Sequence, residues 1–185
     1  VRRTKDKKLI VMHDEKLKRL AHIDKYVSEL TLDEIKSIDI QGEKIPTLKE
    51  AIELIDHRVK HILIEIKEPG YEEEILKEIK EVKDIAIIIS FHEEALKRVR
   101  ELDKKIETGF IYVNERKPIE KAKELKAQYL LPLYRFTHRE NIERAHENGL
   151  KVIVWTINTR EEAEEFAEKG VDGIATDYPE ILKGL

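Results

Sequence analysis

The sequence predicts an α/β fold: a TIM (βα)8 barrel, N-terminally incomplete, with about six βα strands preceded by a β-hairpin. Three observations point there. Short apolar runs of strand length alternate with amphipathic helical stretches, the rhythm of parallel strands joined by crossover helices. The runs are apolar at nearly every position, as a sheet covered on both faces requires. No Gly-x-Gly-x-x-Gly and no Walker loop follows any strand, so a nucleotide-binding open sheet lacks its phosphate cradle.

The expected strands are Ile62–Ile66, Ile85–Ile89, Gly109–Val113, Tyr129–Leu133, Val152–Trp155 and Gly173–Ala175. Between them, Glu72–Val82 places Ile75, Leu76, Ile79 and Val82 on one helical face, and Glu93–Leu102 does the same with Ala95, Leu96, Val99 and Leu102. Pro118 suits the first turn of a helix over Pro118–Leu125. Helices over Glu140–Asn148 and Arg160–Lys169 run into Gly149 and Gly170, residues fit to cap them. The first sixty residues behave differently. Val1–Thr4 and Leu9–His13 form a hairpin around Lys5-Asp6-Lys7-Lys8, followed by short helices over Leu32–Ile38 and Leu48–Ile55. A closed barrel needs eight strands and typically ~250 residues. Counting therefore predicts one barrel domain over residues 1–185, with the first strand, the first helix and most of the second strand lying ahead of Val1.

Composition narrows the function. Thirty-five basic side chains nearly cancel 39 acidic ones, leaving a net charge of −4, which argues against a nucleic-acid surface. There is no cysteine, so thiolate nucleophiles, disulfides and Cys-based zinc sites are ruled out. No stretch reaches the ~20 apolar residues of a membrane span. The expected compartment is the cytoplasm; a signal peptide would lie ahead of Val1, so the absence of one in this sequence does not bear on it. Abundant Lys and Glu with two Gln resembles a hyperthermophile's composition. A barrel open on one side exposes strand edges, and homo-oligomerisation is the corresponding expectation.

Reactive side chains of such barrels stand at the C-terminal ends of strands. There the sequence offers Glu65 with Lys67, Ser90 with Phe91, Tyr112 with Asn114, Pro132, Trp155 to Asn158, and Thr176 with Asp177, while the hairpin returns His13 and Asp14. Alternation puts Glu65 and Lys67 on one side of their strand. A carboxylate and an ammonium there are costly unless paired or engaged. They read as a hard-cation ligand beside an anion-binding lysine, as a structural ion pair, or as a Schiff-base lysine with a neighbour. His13 reads as a general acid or base, or as a strand-end residue whose neighbour Asp14 caps a turn. His57 and His61 have the i, i+4 spacing of helical metal ligands, but His61 falls where a strand begins, so a surface role is expected for both. His22, His92, His138 and His146 read as surface or helix-cap residues without partners. Trp155, the single tryptophan, reads as core or as a stacking surface.

Read in order, Thr4-Lys5-Asp6, Leu9-Ile10-Val11-Met12-His13-Asp14 with Leu17 and Arg19, Ser28-Glu29-Leu30-Thr31, Ile45-Pro46-Thr47-Leu48, Ile64-Glu65-Ile66-Lys67, Ser90-Phe91, Gly149-Leu150-Lys151-Val152, Val154-Trp155-Thr156-Ile157-Asn158, Gly170-Val171-Asp172-Gly173-Ile174 and Thr176-Asp177-Tyr178-Pro179 resemble the glycerophosphodiester phosphodiesterase family across the whole chain. The resemblance implies hydrolysis of glycerophosphodiesters to glycerol 3-phosphate and an alcohol, with a divalent metal ion (Mg2+ or Ca2+). It implies that His13 is the second of two catalytic histidines, Glu65 a metal ligand, and Lys67 the basic residue near the phosphate. It places Phe91 and Trp155 in the substrate pocket. The family's opening His-Arg motif and Glu-x-Asp metal pair are not in this sequence, and Leu20-Ala21-His22-Ile23 replaces its Thr-Thr/Gly-rich stretch. By itself the chain is therefore expected to be inactive. A related phospholipase D-like or sphingomyelinase D-like phosphodiesterase and a non-catalytic barrel binding module are the alternatives.

Overall fold

A computed structural model describes residues 1–55 and 59–185. The chain packs as two compact units, Val1–Ile88 with Lys97–Ile106, and Ile89–Leu96 with Glu107–Leu185.

In the first unit, β1 (Arg2–Arg3) pairs antiparallel with β2 (Leu9–Ile10), so the expected hairpin forms with shorter strands. Its turn is tied by Thr4, whose backbone N–H donates to the Lys8 carbonyl at 2.9 Å and whose hydroxyl accepts from the Lys8 N–H at 2.9 Å. A short helix α1 (Lys18–Ala21) follows, then α2 (Leu32–Ser37) and α3 (Leu48–Ile55). Both longer helices begin with a Thr-x-x-Glu box. The Glu34 carboxylate accepts from Thr31 N–H at 2.8 Å, and the Glu50 carboxylate from Thr47 N–H at 2.7 Å, satisfying donors that the first turn leaves open. Ile10, Met12, Leu17, Val27, Leu30, Ile35 and Ile45 form one buried cluster beneath them. Strand β3 (Ile62–Glu65) leads through α4 (Glu72–Glu78) and a 3-10 turn (Lys80–Ile85) to β4 (Ala86–Ser90). The helix expected over Glu72–Val82 thus ends early and tightens. Strand β4 is buried at every position, as its unbroken apolar run requires.

Helix α5 (Glu93–Leu102) links the two units along the chain. In the second unit β5 (Glu107–Tyr112), β6 (Tyr129–Pro132), β7 (Lys151–Val154) and β8 (Gly173–Ile174) are neighbours in chain order, all parallel. Helices α6 (Pro118–Leu125), α7 (Arg139–Glu147) and α8 (Arg160–Glu168) fill the connections. This is the βα succession read from the sequence. Gly149 and Gly170 have φ of +72° and +87°, the left-handed conformation that ends α7 and α8 at low cost. Gly109 is chosen for space: a Cβ there would lie 2.5 Å from Leu131 Cδ1 and 3.1 Å from Ile89 Cγ2. Phe110, Leu130, Val152, Val154, Ile142 and Phe166 belong to the core packed behind these strands. Among the described residues no helix is long and apolar enough to cross a membrane.

Candidate active site

The first unit brings His13, Glu65 and Lys67 to one cleft of about 310 Å³, walled also by Met12, Leu48 and Ile64. Glu65 ends β3, and Lys67 lies two residues beyond it. As the alternation predicts, their side chains meet: Lys67 Nζ is 2.7 Å from Glu65 Oε2, with the lysine side chain 13% and the glutamate 24% exposed. Ile66, between them, turns the opposite way and is fully buried. The structural-pair reading is therefore realised, and it leaves the pair facing the cleft.

His13 follows β2, whose Leu9 and Ile10 are buried. The backbone of the segment is held on one side by Val11 N–H donating to the Pro46 carbonyl at 2.9 Å. On the other, Arg2 Nε donates to the His13 carbonyl at 3.0 Å. The imidazole is exposed, and its Nδ1 lies 2.8 Å from Asp14 Oδ1. Asp14 in turn accepts from Arg19 at both oxygens, Nε at 2.6 Å and Nη2 at 3.1 Å. Arg19 first, and His13 second, draw the Asp14 carboxyl down to about 2. Short as it is, α1 makes this contact: Leu17 at its start is fully buried in the core and the next turn swings Arg19 back to Asp14. The sequence brought Asp14 to the rim beside His13 and carried Arg19 in the family resemblance, but gave neither a role; the signal for one was an acidic residue beside a strand-end histidine with an arginine five residues on.

In the second unit Phe91 and Trp155 meet edge to face, ring centroids 5.6 Å apart. Trp155 Nε1 donates to the Leu131 carbonyl at 2.7 Å, so the indole is half-buried with its polar edge satisfied. Beyond β7 and β8, Asn158 joins two strand ends. Its Nδ2 donates to Asp177 Oδ2 at 2.8 Å, and its Oδ1 accepts from the Asp177 N–H at 3.0 Å and the Thr176 hydroxyl at 3.3 Å.

The other histidines divide. His57 lies outside the described residues, and His61 is exposed immediately before β3. His138 opens α7, its N–H donating to Asn141 Oδ1 at 2.9 Å. His146 was expected to lack a partner and has one. Its Nε2 lies 2.9 Å from Asp172 Oδ2, which also accepts from the Val152 N–H at 2.7 Å. The partner is 26 residues away in sequence, beyond the reach of local pattern.

Mg2+ and Ca2+ take six or more oxygen ligands. The cleft supplies one carboxylate, Glu65, already bridged to Lys67, and no group of three His, Asp or Glu side chains converges among the described residues. These residues do not by themselves fit the ion.

Comparison with known proteins then places the chain. The model of the glycerophosphoryl diester phosphodiesterase family matches residues 1–181. A glycerophosphodiester phosphodiesterase of Caldanaerobacter subterraneus is 36% identical over 201 residues, spanning all of this chain and 83% of the relative. Among solved structures, an Oleispira antarctica phosphodiesterase in complex with the product sn-glycerol-3-phosphate is 27% identical with a TM-score of 0.88, covering 96% of this chain and 78% of that one. A glycerophosphodiester phosphodiesterase from Thermotoga maritima is 28% identical with a TM-score of 0.79, covering 96% and 79%.

Proposed function

As the chain belongs to the glycerophosphoryl diester phosphodiesterase family, we propose that it serves the hydrolysis of glycerophosphodiesters to sn-glycerol 3-phosphate and an alcohol. The observation that carries this reading is the single cleft shared by His13, Glu65 and Lys67. The product named for the Oleispira structure supports the substrate class.

In this reading Lys67 receives a phosphoryl oxygen. Its ammonium is compact and strongly hydrated in water; inside the cleft it is largely covered and already aimed by Glu65, so little reorganisation accompanies substrate binding. Negative charge grows on the phosphoryl oxygens as an oxygen attacks phosphorus, either that of water or the glycerol hydroxyl, the latter forming a cyclic phosphate that water then opens; the attacking oxygen's proton passes to solvent, and Lys67 offsets the charge. The bond from phosphorus to the departing alcohol oxygen breaks with its electron pair going to that oxygen. His13 Nε2 supplies the proton the alcohol needs, a general-acid contribution of about 10²–10⁴-fold.

The test that needs no turnover is a titration of this chain with sn-glycerol 3-phosphate followed by NMR. Backbone signals around His13 and Lys67 should shift together, and Lys67→Met should weaken binding by about tenfold or more, the worth of ~1.4 kcal/mol. Shifts elsewhere only, or none, would overturn the site. In catalytically active protein, His13→Ala should lower kcat/KM by about 10²–10⁴; a loss under about tenfold would remove His13 from the role.

A further inference from the structure

Every general acid must present the right nitrogen, and an imidazole has two. The neutral ring carries its hydrogen on one of them, and an exposed side chain such as His13 turns freely about its torsions unless something stops it. Here the neighbouring groups restrain it. Asp14 Oδ1 faces Nδ1 at 2.8 Å. Asp14 is only 19% exposed, and Arg19 binds both of its oxygens in the fork arrangement that suits a guanidinium to a carboxylate. A carboxylate so held can only accept hydrogen bonds. Nδ1 is then the nitrogen that carries the hydrogen, and Nε2 is the one left to exchange a proton. Arg2 adds a restraint from the backbone side through the His13 carbonyl, and is itself paired with Glu68.

We propose that Asp14 and Arg19 are positioning residues for His13: Arg19 clamps Asp14, Asp14 fixes the His13 ring in the Nδ1–H form, and Nε2 is thereby presented for proton transfer. The proposal deepens the activity given above and rests on it for its catalytic meaning, but the arrangement itself can be read without turnover. The arginine matters because Asp14 alone could rotate or turn to solvent. With both oxygens occupied by Arg19 it has one orientation, and His13 inherits it.

Long-range 1H–15N correlation of the histidine rings, on labelled chain above the ordinary titration range of histidine, reports the tautomer directly, and a His13→Gln sample assigns the signals. The expected result is Nδ1–H for His13 in the unaltered chain and a change toward Nε2–H in Asp14→Ala. Arg19→Met, which leaves Asp14 in place, should give a mixture of the two, and Arg19→Lys should lie closer to the unaltered chain. An Nε2–H ring in the unaltered chain, or an unchanged tautomer in both Asp14→Ala and Arg19→Met, overturns the proposal. In active protein, leaving-group dependence adds a readout that a merely structural role would not move. Asp14→Ala should lower kcat at least tenfold for an alkyl ester, whose alcohol must be protonated, and less than threefold for a p-nitrophenyl ester, whose leaving group need not be. Equal losses on both substrates would also overturn it. Should the protein show no turnover while His13 keeps its Nδ1–H form, the activity is at fault and the positioning holds.

Discussion

Lys67 Nζ and Glu65 Oε2 stand 2.7 Å apart at the end of β3, on the side of the strand opposite to the buried Ile66. The pair is covered enough that neither charge is fully hydrated, and open enough that a phosphate could displace the carboxylate from the ammonium. Breaking one side takes an ionic partner 2.7 Å away from a partly desolvated charge. Glu65→Gln and Lys67→Met are each expected to destabilise the fold by about 1–3 kcal/mol, between the values for exposed and buried pairs. The double variant should cost less than the sum. Urea unfolding of the four proteins measures the coupling, and strict additivity would show that the pair contributes nothing.

Acid should loosen the first unit. Arg19 and then His13 lower Asp14 from 3.8 to about 2, and Lys36 and then the Thr47 N–H lower Glu50 from 4.5 to about 2. In both cases the folded value lies below the unfolded one, so the unfolded chain binds more protons between them. The stabilisation is present in full above pH ~4.5 and drains away as pH falls toward 2. The melting temperature should decline over that window, and Asp14→Asn with Glu50→Gln should flatten the decline. Parallel curves for the altered and unaltered chains would contradict the assignment.

Two adjacent positions in β5 make opposite predictions. Thr108 is fully buried, and its hydroxyl has no hydrogen-bond partner among the described residues. Thr108→Val keeps the branched shape and removes the unsatisfied group, so a gain of about 1 kcal/mol is expected. Gly109→Ala would drive a methyl against Leu131, Ile89 and Tyr129, and overpacking of this kind costs about 1–3 kcal/mol. Chemical denaturation of each decides. A destabilised Thr108→Val would mean that the hydroxyl is satisfied by water.

Divalent cations should bind this chain weakly. If the dissociation constant for Mg2+ or Ca2+ exceeds 1 mM, adding 1 mM of the ion raises stability by no more than about 0.4 kcal/mol. Thermal unfolding with each ion and with a chelator should therefore superimpose to within about 1–2 °C. A larger rise, abolished by Glu65→Gln, would show that the cleft recruits an ion despite its single carboxylate.

Much of this arrangement was legible in the sequence wherever a local rule sufficed. Helices α5 and α6 match their expected bounds because an apolar face at helical spacing, and a proline at the first turn of α6, mark them without help from the rest of the chain. The meeting of Glu65 and Lys67 followed from strand alternation. What escaped depends on turns. Helix α1, at four residues, is too short for any periodicity, yet it carries Arg19 to Asp14. The starts of α2 and α3 at Leu32 and Leu48 were expected and are observed, and the Thr-x-x-Glu boxes at Thr31 and Thr47 give the physical reason for them. The pairing of His146 with Asp172 needs α7 and the approach to β8 to be brought side by side, which no window of sequence contains.

The one tryptophan of the chain gives the second unit an optical label of its own. Trp155 is half-buried, hydrogen-bonded through its indole to the Leu131 carbonyl and in edge-to-face contact with Phe91, so its emission colour registers whether that neighbourhood is packed and is silent on the hairpin and its cluster. Fluorescence and far-ultraviolet dichroism, recorded on one sample through one melt, will coincide if the molecule comes apart in a single event and diverge if its halves surrender at different temperatures.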